Sequence, residues 1–241
     1  MTKKTFLTIV VAFILLLTLT TNGQKPRAAS LANDFILHWS TDTYTPPDYQ
    51  GKALPTRGSK IKAVATPTKK LSVNPDALFY RWLLDDEIMG QAGQGKSVFE
   101  FTADKWPGGY HEVESQILDA RENIIWRGTV SIKIVNPEVL IRQPNNAYSA
   151  KDKLTTKTGL DLELKAAPLF FNIGQINELS FDWRVDNVNL SWSEEKNPES
   201  LKLKIPQANL SSVLTKNLSL VVFRKIDQLQ RVLLDLNIEI Q

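Results

Sequence analysis

The sequence of 241 residues contains no cysteine and only two histidines. Without cysteine the chain has no disulfide framework, no thiolate metal site, no thiol nucleophile and no lipid-anchored N-terminal cysteine. Charge of one sign is also scarce: residues 31–137 carry 12 basic and 13 acidic side chains, and residues 138–241 carry 13 of each. Because nucleic-acid-binding surfaces are strongly basic, we expect no nucleic-acid partner.

The N-terminal segment differs in composition from the rest of the chain. Lys3 and Lys4 precede an uncharged stretch from Thr5 to Gln24. A basic start followed by an apolar run is typical of a secretory signal, and twenty uncharged residues could also cross a hydrocarbon layer of about 30 Å. We therefore expect residues 1–24 to be a signal peptide or an N-terminal membrane anchor, and residues 25–33 to be a linker. Either alternative predicts an exported protein, in the cell envelope or secreted.

An internal repeat divides the remainder of the chain. Five residue pairs are each separated by 101 positions: Gly58 and Gly159, Pro67 and Pro168, Tyr80 and Phe181, Trp82 and Trp183, Asp85 and Asp186. Five matches in one register without a gap indicate two copies of one structural unit. We predict a first domain over residues 34–136 and a second, divergent domain over residues 137–241.

Both copies have the sequence pattern of an all-β fold. Apolar and polar residues alternate with a period of two in segments such as 60–65, 79–84, 160–165 and 179–185. Proline, glycine and asparagine turns separate these segments. Beyond residue 30 no segment keeps a 3.6-residue period for three turns. Several short strands in about one hundred residues predict a β-sandwich in each copy.

The first copy contains a series of motifs that together resemble a known class of domain. They are Tyr80-Arg-Trp82-x-x-Asp85, the glycine-rich loop 90–95, Phe99-x-Phe101, and Gly108-Gly109-Tyr110-x-x-Val113. This series is similar to the PKD and immunoglobulin-like sandwiches of bacterial surface proteins. The resemblance implies that Trp82, and Trp183 by the repeat, lie in the core. It also implies that Tyr110 is the core residue of a tyrosine corner, with a β-bulge near His111 to bring the next strand into phase.

The acidic cluster Asp85-Asp86-Glu87 is a candidate metal site. Closely spaced carboxylates suit Ca²⁺, which takes six to eight oxygen ligands. The alternative is a solvated turn after a core strand. Consecutive residues of an extended segment point to opposite faces, so three in a row do not reach one ion unless the chain curls. We predict no metal site here.

Catalytic residues are not evident in the sequence. Neither His38 nor His111 lies beside a nucleophile motif, and no Gly-x-Ser-x-Gly is present. A sandwich of about one hundred residues also offers little room for a catalytic cleft. We therefore predict no enzymatic activity, no catalytic residues and no cofactor.

Two tryptophans in predicted loops, Trp106 and Trp192, are candidates for an interaction surface. Exposed aromatic rings stack on sugars or form protein interfaces. Domains of the resembled class are mostly non-enzymatic spacers or binding modules. The sequence thus predicts an exported structural or protein-interaction module at the bacterial cell envelope, and the alternative is a carbohydrate-binding module that uses these loop aromatics. The expected partner is an envelope protein or a glycan, and membrane contact is expected only through residues 5–24 if they are retained.

Overall fold

The computed structural model describes residues 34–69, 71, 74–143, 153–190, 196–209 and 211–241. The predicted signal or anchor, the predicted linker and Trp192 lie outside these residues. Within the described part of the chain, no helix combines the length and the apolar character needed to span a membrane.

The described residues form sixteen strands, with two single-turn 3₁₀ helices at Pro75–Ala77 and Ile176–Glu178. The prediction of an all-β fold is confirmed. The first eight strands are β1 Phe35–Thr41, β2 Lys60–Pro67, β3 Phe79–Leu84, β4 Glu87–Ile88, β5 Gly93–Gln94, β6 Val98–Thr102, β7 Tyr110–Leu118 and β8 Ile124–Lys133. The other eight are β9 Glu138–Arg142, β10 Lys153–Thr156, β11 Leu162–Leu169, β12 Leu179–Val185, β13 Val188–Asn189, β14 Ser200–Leu203, β15 Leu214–Arg224 and β16 Asp227–Ile240.

These strands form two sandwiches in tandem. In the first, the sheet β1-β2-β6 packs on the sheet β4-β3-β7-β8, to which β5 adds by pairing with β3. In the second, the sheet β14-β11-β9 packs on the sheet β10-β16-β15-β12-β13. Strand β10 runs parallel to β16, and the other pairs are antiparallel. This is the strand arrangement of immunoglobulin-like sandwiches, as the sequence predicts. The exact domain boundary stays a prediction.

Period-two alternation places one face of each strand in a core. In β2, Ile61, Ala63 and Ala65 are buried, while Lys60 and Lys62 on the opposite face of the strand are exposed. Burial of such alternating apolar faces against a second sheet is the main favourable contribution to the stability of a sandwich. The alternation visible in the sequence therefore carries directly into the two cores.

The two repeat tryptophans occupy equivalent buried places. Trp82 is 0% exposed and its indole N–H donates to the carbonyl of Lys96 over 2.8 Å. Trp183 is 2% exposed and its indole N–H donates to the carbonyl of Pro198 over 3.0 Å. Each ring thus fills a core while its one polar atom stays hydrogen bonded.

The prediction for Tyr110 is wrong. Tyr110 is 51% exposed, whereas His111 is buried and its ring centroid lies 5.1 Å from that of Phe101. Strand β7 pairs with β8 without interruption from Tyr110 to Ile117, so no bulge occurs near His111, and the register shifts only between Ile117 and Leu118. Because the alternation of β7 begins at Tyr110 itself, the histidine takes the inward place expected of the tyrosine.

Candidate functional site

A hairpin turn organises the polar residues at one end of the first sandwich. Asp85 and Asp86 join β3 to β4 with φ values of 52° and 70°. A two-residue hairpin of this kind needs positive φ at both positions, which Asp and Asn tolerate better than most residues. Asp186 and Asn187 form the same turn between β12 and β13, with φ values of 48° and 67°. Asp85 and Asp86 of the acidic cluster therefore have a structural role, because they form the hairpin turn.

The Asp85 carboxylate is fully engaged by neighbouring donors. Its Oδ1 accepts from Lys105 Nζ over 2.8 Å and from the Glu112 amide over 2.9 Å, and its Oδ2 lies 2.9 Å from His111 Nδ1. Burial raises the pKa of Asp85, but the hydrogen bonds from Lys105, Glu112 and His111 outweigh it and hold that pKa below its usual value. Among the described residues no group of three or more acidic or histidine side chains could hold a metal ion.

His111 lies between two carboxylates. Besides Asp85 at Nδ1, its Nε2 is 3.3 Å from Oδ1 of Asp104, outside hydrogen-bonding geometry. In the second sandwich the equivalent place is taken by Lys216, whose Nζ lies 2.6 Å from Oδ2 of Asp186. Its hydrogen bond is the main reason that the pKa of Asp186 is lowered. In both sandwiches a basic side chain on the adjacent strand thus holds the turn aspartate, which is a structural role.

Trp106 is an exposed ring with a cation stacked on it. The residue is 68% exposed, and the guanidinium carbon of Arg57 lies 3.8 Å from the ring centroid. Arg57 is held in turn by a 3.0 Å hydrogen bond from its Nε to the carbonyl of Asp104. The stacked cation orients the ring without burying it. Trp106 is thus available for contact, and its role in binding stays a prediction.

The segment between β1 and β2 reaches across to the second sandwich. The Tyr44 amide donates to the carbonyl of Phe171 over 2.8 Å, and the Phe170 amide donates to the carbonyl of Tyr44 over 2.7 Å. The Tyr44 side chain packs against the core of the second sandwich, and the Tyr49 ring meets that of Phe170 edge-on at 5.9 Å. This segment therefore lies within the first copy of the repeat in the sequence, but its residues contact both sandwiches.

Asn172 joins the two sandwiches through its side chain. Its Oδ1 accepts from Thr56 Oγ1 over 2.8 Å, and its Nδ2 donates to the carbonyl of Arg57 over 2.9 Å. Its backbone amide donates to Oε1 of the buried Gln230 over 2.9 Å. Side-chain amides that satisfy several backbone and side-chain partners at once restrict orientation strongly. The relative placement of the sandwiches is held by these directional bonds as well as by apolar contact.

A cleft of about 1010 Å³ lies beside this joint. One wall comes from the segment after β1, and the other from β9 and β11. An ion pair between Asp48 and Arg142 spans it. Burial, with smaller contributions from the negative charges of Glu199 and Asp48, raises the pKa of Tyr44. The lining combines flat rings, amides and charges: Tyr44, Pro46, Pro47, Asp48, Tyr49, Gln50, Arg142, Gln143, Lys165, Ala166, Ala167, Pro168 and Ile176.

The sequence contains no local signal for this cleft. Its two walls are separated by most of the first domain, and they meet only because the segment after β1 crosses to the second sandwich. In the sequence, Tyr44 and Tyr49 are aromatic residues that could stack on sugars or form an interface, and Pro46 and Pro47 between them mark a turn. Only the assembled structure shows that they face Arg142 and Lys165.

Comparisons with known proteins identify no family for this chain. No protein-family model and no curated protein matches the chain. The three N-terminal domains of the highly immunogenic outer capsid protein of bacteriophage RB49 are 12% identical over 86% of this chain and 59% of theirs, with a TM-score of 0.43. The fibronectin(III)-like modules of Clostridium thermocellum CbhA are 13% identical over 85% of this chain and 94% of theirs, with a TM-score of 0.28.

A third similar structure is SGBP-B of the Bacteroides ovatus mixed-linkage glucan utilisation locus, in complex with a mixed-linkage heptasaccharide. It is 10% identical over 84% of this chain and 47% of its own, with a TM-score of 0.25. The chain spans less than two thirds of this structure and of the phage structure. The TM-scores of these three structures are all below 0.5, so a function has to be argued from the residues of this chain.

Proposed function

We propose that this protein is an exported, non-enzymatic structural or protein-interaction module at the bacterial cell envelope, and that its partner binds in the cleft between the two sandwiches. The observation that carries the proposal is the cleft itself, about 1010 Å³ in volume and lined by aromatic, amide and charged side chains. Binding sites occur preferentially where two domains meet.

The joint beneath the cleft supports a binding role. The bonds of Tyr44 to Phe170 and Phe171, and those of Asn172 to Thr56 and Arg57, hold the two walls in place. A pre-organised surface loses little conformational entropy on association, which favours affinity. An envelope protein with an extended, partly apolar segment of mixed charge would complement both the tyrosines and the Asp48–Arg142 pair.

A glycan is the second candidate partner, and the ring content of the cleft favours it. Tyr44, Tyr49 and the two prolines present flat apolar faces beside amide and charged groups, a combination that suits stacking and hydrogen bonding of sugars. In this alternative the exposed ring of Trp106 provides a further contact, and so does Trp192, which lies outside the described residues.

Site-specific photo-crosslinking in intact cells tests the proposal. A photoreactive amino acid replaces Gln50 in the cleft, and a matched control replaces Arg121, an exposed residue in the turn between β7 and β8. We expect a discrete envelope-protein adduct from position 50 and none from position 121. Equal adducts from both positions would contradict a partner bound in the cleft.

A glycan array distinguishes the second candidate. Binding by the full chain that is lost in Tyr49→Ala, and retained in the exposed-surface variant Tyr110→Ala, would support a carbohydrate partner. The absence of both a cleft-specific adduct and glycan binding would refute the proposed function. N-terminal sequencing of the protein from fractionated cells tests the export part of the proposal, since it distinguishes a cleaved signal from a retained anchor.

The PKD-like identity of the first sandwich belongs to the same proposal. It is supported by the buried Trp82 within Tyr80-Arg-Trp82-x-x-Asp85 and by the stacking of Trp82 on Phe99 at 5.5 Å between centroids. The exposure of Tyr110 counts against a tyrosine corner as part of that identity.

A further inference from the structure

The end of the second sandwich opposite to Asn172 contains an apolar cavity of about 380 Å³. It lies between the two sheets and is open to solvent on one side. Volumes of about 300–1,000 Å³ with mostly apolar walls are typical of small-molecule sites. The walls come from four strands and two loops: Thr158, Val185, Leu203, Lys204, Ile205, Pro206, Ala208, Leu214, Lys216, Ile238 and Ile240.

The first sandwich fills the same place with aromatic rings. Ile61 pairs with Phe101, and its repeat equivalent Leu162 pairs with Leu203, so Phe101 and Leu203 occupy equivalent positions. Phe101 stacks on Phe99 with centroids 5.4 Å apart. Leucine is smaller than phenylalanine, and Leu203 lines the cavity.

A second difference between the two sandwiches lies on strands β7 and β15, which pair with β3 and β12. Leu84 pairs with Val113 and Val185 pairs with Leu218, and His111 and Lys216 each lie two residues before these partners. The buried His111 ring packs on Phe101. Lys216 instead extends to the turn, where its Nζ bonds to Asp186. At these two equivalent positions the first sandwich therefore carries two aromatic rings in contact, and the second carries a leucine and a lysine.

Backbone hydrogen bonds hold the rim of the cavity in place. The amide of Gly159, at a φ of 77°, donates to the carbonyls of Ile205 and Pro206 over 3.1 and 3.3 Å. The amide of Thr158 donates to the carbonyl of Gln241 over 3.0 Å. Such a rim is formed before any ligand arrives, so binding does not have to order it.

Charge at the rim indicates the polarity of the ligand. Two lysines, Lys204 and Lys216, are the charged residues of the lining. Lys216 is neutralised by Asp186. Within the described residues no ion pair involves Lys204. An apolar cavity beside an ammonium group that pairs with no described carboxylate complements a molecule with an aliphatic chain and an anionic head group.

We propose that this cavity binds the aliphatic chain of a monoanionic amphiphile, with its head group at Lys204. The site is separate from the cleft between the sandwiches and does not depend on the function proposed for it. Burial of the aliphatic chain supplies the affinity, and the lysine selects the charge of the head group.

Calorimetric titration of the full chain with decanoate, below its critical micelle concentration, tests the proposal. We expect saturable binding of one decanoate per chain. Leu203→Phe copies the residue of the first sandwich and should weaken binding at least tenfold. The matched control is Leu233→Phe, at a leucine that is 60% exposed on β16, and it should bind as the wild type does. Lys204→Gln should weaken decanoate binding about fivefold, as expected for an exposed ion pair, and leave decanol binding unchanged.

Methyl NMR of the wild-type chain provides a second readout that does not depend on the folding of any variant. Decanoate should shift the methyl signals of Ile238 and Leu214, which line the cavity, and leave those of Ile117 in the first core unchanged. Non-saturable binding, or equal affinity of wild type and a folded Leu203→Phe variant, would overturn the proposal. So would a concentration-dependent dimer that Leu203→Phe dissociates, because a second copy would then occupy the cavity.

Discussion

Replacement of Trp82 by alanine should destabilise the first sandwich by about 3–5 kcal/mol, the usual cost of removing a buried aromatic ring. The ring is fully buried, stacks on Phe99 with centroids 5.5 Å apart, and donates one hydrogen bond to the carbonyl of Lys96. An indole that buries up to about 250 Å² sets an upper limit of about 6 kcal/mol on the lost transfer energy at 25 cal/mol/Å². The aromatic contact and the unpaired carbonyl add to the loss of transfer energy, and relaxation of the core reduces it.

Urea denaturation with hydrogen-exchange mass spectrometry measures this effect in each half of the chain. With an m-value of about 2 kcal/mol/M, a loss of 4 kcal/mol lowers the midpoint by about 2 M. Peptides from residues 34–136 should lose protection in Trp82→Ala, and peptides from residues 137–241 should do so in Trp183→Ala. Trp106→Ala, at a 68% exposed residue, is the control and should stay within about 0.5 kcal/mol of wild type. A wild-type midpoint for Trp82→Ala would refute the reasoning that the repeat places this ring in the core.

Four further predictions follow from the polar contacts and the exposed residues. Asp85 stabilises the fold above its unfolded pKa of about 3.9, and this contribution is lost as the pH falls through its lowered folded pKa; urea midpoints at pH 7 and pH 3 should therefore differ less in Asp85→Asn than in wild type. Asn172→Ala removes two side-chain hydrogen bonds between the sandwiches and should cost about 2 kcal/mol; small-angle scattering should show a wider distribution of sandwich orientations, and an unchanged profile would contradict a joint held by Asn172. Tyr110→Ala should change the free energy of unfolding by less than about 0.5 kcal/mol because the ring is exposed, and a loss above 2 kcal/mol would restore the tyrosine-corner interpretation. Millimolar Ca²⁺ should leave the melting temperature unchanged, since Lys105 and the Glu112 amide already occupy the Asp85 carboxylate; a rise of several degrees that disappears in Asp86→Asn would show a calcium site.

Local pattern was a reliable guide wherever a residue's environment depends on its own strand. The alternation around Ile61 and Leu162, and the 101-residue offset between Trp82 and Trp183, suffice to predict two sandwiches with equivalent buried tryptophans. The sequence also shows the phase of the strand after Tyr110, because Val113 and Ile117 fall on the strand face opposite to that of Tyr110. The resemblance to a tyrosine corner predicts instead that Tyr110 points into the core, and this is wrong. For this strand, side-chain alternation is the stronger physical signal.

The candidate sites depended on contacts between distant parts of the chain, which no local pattern encodes. The cleft exists because the backbone of Tyr44 is hydrogen bonded to Phe170 and Phe171. Nothing in the sequence around these residues indicates that they are neighbours. The turn role of Asp85 was closer to prediction, since Asp-Asp and Asp-Asn pairs favour the positive φ values of two-residue hairpins. Its partners Lys105 and His111 come from other segments and become neighbours only when β3 and β7 pair.

The sequence by itself determined the all-β class, the repeat and the inward faces of the strands, because each follows from side-chain alternation and spacing along one segment. Tertiary structure decided where space remains between those segments. Phe101 and Leu203 are both apolar residues on equivalent strands, and nothing in either local sequence distinguishes a filled place from an empty one. Whether a cavity forms depends on the sum of side-chain volumes from several strands that meet at one point, and that sum exists only in the folded chain.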